Sequence, residues 1–251
     1  MKLRDNLWEL RLSLFLVLAS LLIFLLKILI IGDDGESNTL SYIFNALGFL
    51  PINVLLVTLI LNSLLARRAK REQQEKMKMI VGLFFSELGT TMLHMIVGCD
   101  TRVETVRTNL AVQMTWKPAE YRAAAEFLKT YAPDLVPDTG ALAAIRTELA
   151  GKHEFLLGLV ENPVFLEGEK VADLMQALFH LSEELCDRGN LAELPASDLR
   201  HLTGDLTRVY VPLAELWLSH MEYLSARYPY LLSLSLRKSP FREQRDVVVR
   251  S

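Results

Sequence analysis

Two long apolar stretches decide the fold of this chain. Residues 12–31 read LSLFLVLASLLIFLLKILII, with Lys27 as the one charged side chain, and residues 40–66 read LSYIFNALGFLPINVLLVTLILNSLLA, without a charge. An α-helix rises about 1.5 Å per residue, so each stretch is long enough to cross the hydrocarbon layer of a bilayer, about 30 Å thick. We therefore predict that residues 1–66 form a transmembrane hairpin of two helices joined by a short outside loop at 32–39.

A cleaved signal peptide is the alternative interpretation of the first stretch. Such a peptide ends in a cleavage site made of small residues. Here the stretch ends in IIGDD at residues 30–34, and a second apolar stretch follows. Both features favour a membrane helix that is retained.

Charged residues flank the apolar stretches unequally, which predicts an orientation. The loop at 32–39 has three acidic residues and no basic one, whereas basic residues precede the first helix and follow the second. Cytoplasmic flanks are enriched in Lys and Arg, so both termini are predicted to be cytoplasmic and the helices to cross an inner (plasma) membrane. The basic side chains are also expected to contact the lipid bilayer and its anionic headgroups. The predicted interfacial residues are Trp8, Arg11, Lys27, Arg67, Arg68, Lys70 and Arg71.

The second apolar helix contains the amide side chains Asn45, Asn53 and Asn62 and the hydroxyl of Thr58. Polar groups in lipid seek partners on neighbouring helices, so we predict intramembrane contacts at these positions and a homo-oligomer. Pro51 lacks a backbone donor and predicts a bend in the same helix.

Residues 67–98 are predicted to form a basic juxtamembrane helix. Its second part, residues 79–98, is nearly long enough to be a third membrane span. Glu87 and His94 would be costly in lipid, which favours a buried cytoplasmic helix. Both interpretations stay open on the sequence alone.

Residues 99–236 are predicted to form a cytoplasmic helical bundle, followed by a basic tail at 237–251, so the fold class is all-α. Proline, glycine and capping residues delimit helices at about 118–132, 138–161, 167–188 and 197–228, the last bent at Pro212. The last two helices carry apolar residues at alternating spacings of three and four, which predicts an antiparallel hairpin with a packed seam. The seam residues are Val171, Leu174, Leu178, Leu181 and Leu185 on one helix, and Leu199, Leu202, Leu206, Val209, Leu213, Leu216 and His220 on the other.

Two His/carboxylate pairs lie on these same helices. His180 with Glu184 and His201 with Asp205 each have the four-residue spacing that places both side chains on one helix face. Facing helices build metal sites from such pairs. However, the seam register directs both histidines outward, and exposed His/carboxylate contacts are common without a metal. We therefore expect no metal, no cofactor and no catalytic residue, and we keep a membrane-bound metalloenzyme using these four residues as an alternative.

The charge and cysteine content exclude some classes of function. Residues 79–251 hold 17 basic and 23 acidic residues, which argues against a nucleic-acid partner. The glycines show no phosphate-loop spacing. The two cysteines, Cys99 and Cys186, are widely spaced and are expected to be free thiols in a reducing compartment.

Three segments carry a resemblance to a known family. They are YPYLLSLSLRKSPF at 228–241, FHLSEEL at 179–185 and LTGDL at 202–206. Together they resemble a family of uncharacterised prokaryotic membrane proteins with two spans and a cytoplasmic helical domain. The resemblance implies a prokaryotic source and an ordered segment at 228–241, and it implies no activity.

The sequence thus predicts a membrane-tethered scaffold, adaptor or signal-transmitting module, not an enzyme, that binds a cytoplasmic protein partner. The alternative from another class is an oligomeric ion channel or pore whose second transmembrane helix lines the pathway.

Overall fold

The computed structural model describes the backbone of residues 2–31, 38–166 and 168–242, and the side chains of residues 10–30, 41–165, 168 and 170–242. Regular structure in these residues is helical, apart from one isolated bridge between Asp100 and Leu135. The all-α prediction is confirmed. The α-helices are α1 Lys2–Ile31, α2 Asn38–Phe84, α3 Thr90–Val97, α4 Val103–Asn109, α5 Pro118–Thr130, α6 Thr139–Gly151, α7 His153–Val160, α8 Pro163–Leu166, α9 Glu169–Cys186, α10 Ala196–Arg227 and α11 Pro229–Arg237.

The chain divides into two compact units, Met1–Glu72 and Gln73–Ser251. Their boundary lies within α2, which continues through the predicted division at residue 66. The separate juxtamembrane helix predicted over 67–98 is instead the end of α2, a π-helical turn at Phe85–Gly89, and α3. Residues 67–81 contain no glycine or proline to end the helix, which explains why α2 continues.

In the first unit, α1 and α2 approach closely at Gly48. Its carbonyl oxygen accepts a 2.6 Å hydrogen bond from the buried Ser20 hydroxyl. A Cβ atom at Gly48 would lie only 2.8 Å from the Phe24 ring, which itself packs edge-to-face on Phe49 at 5.3 Å. Small residues at a contact allow two helix backbones to approach in this way.

The core of the second unit is built on α9 and α10, which a 3₁₀ turn at Leu191–Glu193 connects. The predicted seam is confirmed: its α9 residues are buried, and so are those of α10 apart from the partly buried Leu199 and Leu216. Pro212 lies inside α10 without ending it, as Pro51 does in α2. Both prolines were predicted to bend their helices.

Residues 79–98 belong to this core. Phe84, Leu88 and Leu93 are fully buried there, and Glu87 forms a 2.9 Å ion pair with Lys152. The structure therefore favours a helix buried in the second unit over a third span.

Two further predictions for this unit are corrected. The helix predicted over 138–161 is two helices, because Lys152 leaves the helical conformation between α6 and α7. The predicted tail at 237–251 begins inside the fold: Phe241 is buried and packs edge-to-face on Trp217 at 4.9 Å. The segment 228–241 is ordered, as the resemblance implied. The remainder of the predicted tail, 243–251, lies outside the described residues.

Candidate functional site

The two His/carboxylate pairs meet on the outer side of the α9/α10 hairpin. Because the helices are antiparallel, each histidine of one helix faces the carboxylate of the other. His180 Nε2 lies 3.6 Å from Asp205 Oδ1 and 3.9 Å from Glu184 Oε1. His201 Nε2 lies 3.4 Å from Glu184 Oε2 and 3.4 Å from Asp205 Oδ2. The four side chains therefore form one cluster, hereafter the His/carboxylate cluster.

The cluster is buried at its base and open at its top. The Asp205 side chain is 1% exposed and that of Glu184 is 25% exposed, whereas those of His180 and His201 are 44% and 48% exposed. The seam register predicted that both histidines point outward, and this prediction is correct in part. Both histidines reach solvent, but they also lean over two carboxylates that are much less exposed.

Two arginines hold these carboxylates in place. The Arg188 guanidinium donates to Glu184 Oε2 at 2.6 Å and also forms two hydrogen bonds with Asp198. Hydrogen bonds from Arg188 lower the pKa of both the Glu184 and the Asp198 carboxyl groups. Arg208 Nη1 donates to Asp205 Oδ1 at 2.5 Å. Asp205 Oδ2, which faces His201, is buried and has no hydrogen-bond partner within the described residues.

A buried histidine outside the His/carboxylate cluster, His220, lies where α10 passes the end of α2. The His220 ring stacks on the Phe85 ring, and the two ring centroids are 5.5 Å apart. It also packs closely on Gly82, where an added Cβ atom would lie 3.2 Å from His220 Cε1. Burial lowers the pKa of His220 to about 4. His220 is 8% exposed, and its Nδ1 has no hydrogen-bond partner among the described residues. The imidazole is therefore a neutral core group at the π-helical turn Phe85–Gly89, a type of helix irregularity that is frequent at functional sites.

A groove of about 460 Å³ runs beside α10, on the α5 and α9 side. Its apolar wall includes Ala125, Pro212 and Leu216, and its rim carries the 2.8 Å ion pair between Lys170 and Glu215. An apolar wall with a few charged groups is typical of surfaces that bind small molecules or peptides.

Comparison with known proteins gives matches over nearly the whole chain. The family model "MJ1433, N-terminal helical domain" matches residues 3–65, and "Uncharacterized protein MJ1433, C-terminal helical domain" matches residues 73–237. The Methanocaldococcus jannaschii protein MJ1433 is 36% identical over 245 residues, which is 98% of this chain and 97% of the relative. The chain belongs to the MJ1433 family. No solved structure matches it.

The MJ1433 family accounts for part of the resemblance found in the sequence. Its two helical domains correspond to the two compact units, since the gap between the matched ranges contains the boundary between Glu72 and Gln73. The family descriptions name helical domains and no membrane. The two-span character therefore stays a prediction for this member of the MJ1433 family.

The predicted intramembrane contacts have different surroundings in the first unit. Asn45 Oδ1 accepts a 3.0 Å hydrogen bond from Lys27 Nζ across the hairpin. Thr58 is partly buried, whereas Asn53 and Asn62 are exposed. Sequence reasoning missed the contact between Ser20 and Gly48, although small residues within two apolar stretches are the pattern that would have indicated it.

Among the predicted interfacial residues, the arginines and lysine that follow the second apolar stretch are exposed on α2, as is Arg11 on α1. Lys27 is partly buried against α2 through Asn45 and was expected at the interface. The side chain of Trp8 lies outside the described residues. The interfacial role of all these residues stays a prediction.

Proposed function

We propose that this member of the MJ1433 family is an integral membrane protein. In this proposal α1 and the first part of α2 cross the bilayer and hold the second unit at the cytoplasmic face, where it acts as a scaffold, adaptor or signal-transmitting module. The observation that carries the proposal is the exposure of apolar side chains along both helices.

The described part of α1, and α2 as far as Leu65, expose many large apolar side chains. Leu29, for example, is 79% exposed, and only 6% of the most apolar part of α1 is buried. Both helices are long and apolar enough to span a membrane. A core helix of a soluble protein can have this composition, but its side chains are buried against the rest of the protein. Soluble monomers rarely expose contiguous apolar surface on this scale, so a lipid environment is the best match.

The charges around the helices support the cytoplasmic placement of the second unit. Arg67, Arg68, Lys70 and Arg71 are exposed on α2 directly after the apolar stretch. There they can contact anionic headgroups, each worth about 1 kcal/mol near an anionic surface. The α2 helix also continues directly into the core of the second unit, up to the fully buried Phe84. The two units thus share one continuous helix, which favours a signal-transmitting role.

Two cysteine positions test both membrane insertion and orientation. Cys186 is exposed in the second unit, so it serves as the cytoplasmic reporter, in a background where Cys99 is serine. A second variant adds Ser37→Cys in the predicted outside loop and replaces Cys186 by serine. Intact cells are treated with a membrane-impermeant maleimide, before or after the membrane is permeabilised.

The proposal predicts that Ser37→Cys is labelled in intact cells and that Cys186 is labelled only after permeabilisation. It also predicts that the chain stays in the membrane pellet after an alkaline carbonate wash. Release by carbonate would refute membrane insertion. The reverse labelling pattern would refute the orientation alone.

The exposed Asn53 and Asn62 amides support a homo-oligomer, because polar groups on a lipid-facing surface are stabilised by a second copy. Native mass spectrometry of the full chain in nanodiscs measures the number of copies and any bound polypeptide. Co-purification of a second polypeptide in a fixed ratio would support the adaptor role. A particle that contains one copy alone would refute the homo-oligomer.

A further inference from the structure

We propose that His180, Glu184, His201 and Asp205 form a binding site for a divalent transition-metal ion, and that Zn²⁺ is the metal whose coordination they match best. The inference concerns the second unit and does not depend on the proposed membrane insertion. It reverses the expectation from the sequence, which took these residues as exposed pairs without a metal.

The separations between the imidazole nitrogens and the carboxylate oxygens are close to those of donor atoms in a metal site. Zn²⁺ binds imidazole nitrogen and carboxylate oxygen at about 2.0–2.2 Å in tetrahedral geometry. Neighbouring donor atoms of such a site are therefore about 3.3–3.6 Å apart. The four contacts between the imidazoles and the carboxylates measure 3.4, 3.4, 3.6 and 3.9 Å. One donor atom each from His180, Glu184 and His201 also lies within 4.8 Å of the other two.

Hydrogen bonds between the residues satisfy this arrangement only in part. Each histidine directs the same atom, Nε2, toward two carboxylates. A single Nε2–H donates along one direction, so it can satisfy one of them, and a neutral Nε2 lone pair repels both. A metal ion placed among the four groups would instead accept a lone pair from every donor.

The buried carboxylate provides a second and independent observation. Asp205 is 1% exposed and its Oδ2 has no hydrogen-bond partner among the described residues, although it lies 3.4 Å from His201 Nε2. A buried carboxylate oxygen without a partner is unfavourable, because the group loses its hydration without replacement. A cation bound among these four residues would satisfy that oxygen.

The surroundings of the cluster suit a metal ion held by protein ligands. Arg208 binds Asp205 Oδ1 and Arg188 binds Glu184 Oε2, whereas the other oxygens, Asp205 Oδ2 and Glu184 Oε1, lie 3.4 Å from His201 Nε2 and 3.9 Å from His180 Nε2. Such contacts around the ligands fix their orientation. The half-exposed histidines leave a path from solvent.

The position of the ligands indicates a structural role. Two come from α9 and two from α10, so a bound ion would join the two helices. Four protein ligands fill the coordination shell of Zn²⁺, whereas catalytic zinc sites keep a position open for water or substrate. We therefore assign the site to the stabilisation of the α9/α10 hairpin.

The test uses the full chain in nanodiscs, stripped of metal by a chelator and then mixed with Zn²⁺. After gel filtration, the zinc content per chain is measured by elemental analysis and the affinity by competition with a chromogenic chelator. The variants are His180→Ala with His201→Ala, and Glu184→Gln. The controls are His153→Ala, an exposed histidine on α7, and Cys186→Ser, which removes the exposed thiol at the end of α9.

We expect about one Zn²⁺ per chain in the wild type and in both controls, since four ligands from one chain make one site. We expect the affinity for Zn²⁺ to fall by more than about 100-fold in the double histidine variant. The reason is that removing two metal ligands weakens binding more than removing a group that only orients a ligand. Zinc content at background in the wild type, or equal in the wild type and the double variant, would overturn the proposal.

Co²⁺ added to the stripped wild type gives a test that needs no substitution. A tetrahedral Co²⁺ centre shows strong visible d–d absorption, and Glu184→Gln should weaken or shift it. An octahedral Co²⁺ spectrum, unchanged by that substitution, would show that the ion lies elsewhere and would also overturn the proposal.

Discussion

Replacement of His220 by leucine tests how the core of the second unit responds to pH. The imidazole is buried against Phe85 and Gly82, and this burial lowers its pKa from 6.5 to about 4. In the unfolded chain the same side chain titrates near 6.5. Between these two values the unfolded state binds a proton that the folded state does not.

The sign of the pH dependence follows from this difference. Above pH 6.5 both states are neutral at His220, and the free energy of unfolding is at its full value. As the pH falls from 6.5 to 4, protonation favours the unfolded state by about 1.4 kcal/mol for each pH unit. The total loss is about 3 kcal/mol at pH 4, and below that both states are protonated. The His220→Leu variant has no titrating group at this position, so it does not show this loss of stability.

The measurement is urea unfolding of the full chain in nanodiscs at pH 7 and at pH 4. Tryptophan fluorescence reports on the second unit through the buried Trp217. From pH 7 to pH 4, the unfolding free energy of the wild type should fall by about 3 kcal/mol relative to that of His220→Leu. His153→Leu, at an exposed histidine, is the matched control and should leave the pH dependence of the wild type intact. A difference that stays constant with pH would show that His220 is not held neutral by burial.

Three further predictions concern other parts of the chain. Tyr131→Phe removes the hydroxyl that donates to the buried Asp100 Oδ2 at 2.6 Å, so urea unfolding should show a loss of about 2 kcal/mol. No loss would mean that the hydrogen bond is replaced. Asn62→Leu removes an exposed amide of α2, and chemical crosslinking in membranes should show fewer oligomers. Unchanged crosslinking would place the contact elsewhere. A maleimide should modify Cys186 rapidly and Cys99 only on unfolding, because Cys99 is buried and burial raises the pKa of its thiol. Equal rates would contradict that burial.

The seam of the α9/α10 hairpin was predictable from the sequence because its cause is local. Leu178 on α9 and Leu206 on α10 each belong to a stripe of apolar residues spaced at the helical repeat. A helix with such a stripe buries it against a similar one. The sequence pattern placed His220 on the same stripe, and the structure buries it there. Its packing against Gly82 was not predictable, because 138 positions separate the two residues in the sequence.

The ends of the helices were harder to predict from the sequence than their apolar faces. The stretch from 138 to 161 was predicted as one helix, yet the helix stops at Lys152. Gly151 directly precedes the break, and glycine is a common residue at helix ends. A single glycine inside a helical pattern is a weak signal, so the sequence alone did not predict the break.

The sequence by itself determined the two apolar helices, the helical second unit and the helix faces that carry His180, Glu184, His201 and Asp205. It determined these because spacing along one helix is enough to define a face. Only the tertiary structure decided that the four side chains converge and that Asp205 is buried with an unsatisfied oxygen. The reason is that convergence depends on how α9 slides and rotates against α10, and the packing of the whole core fixes that register.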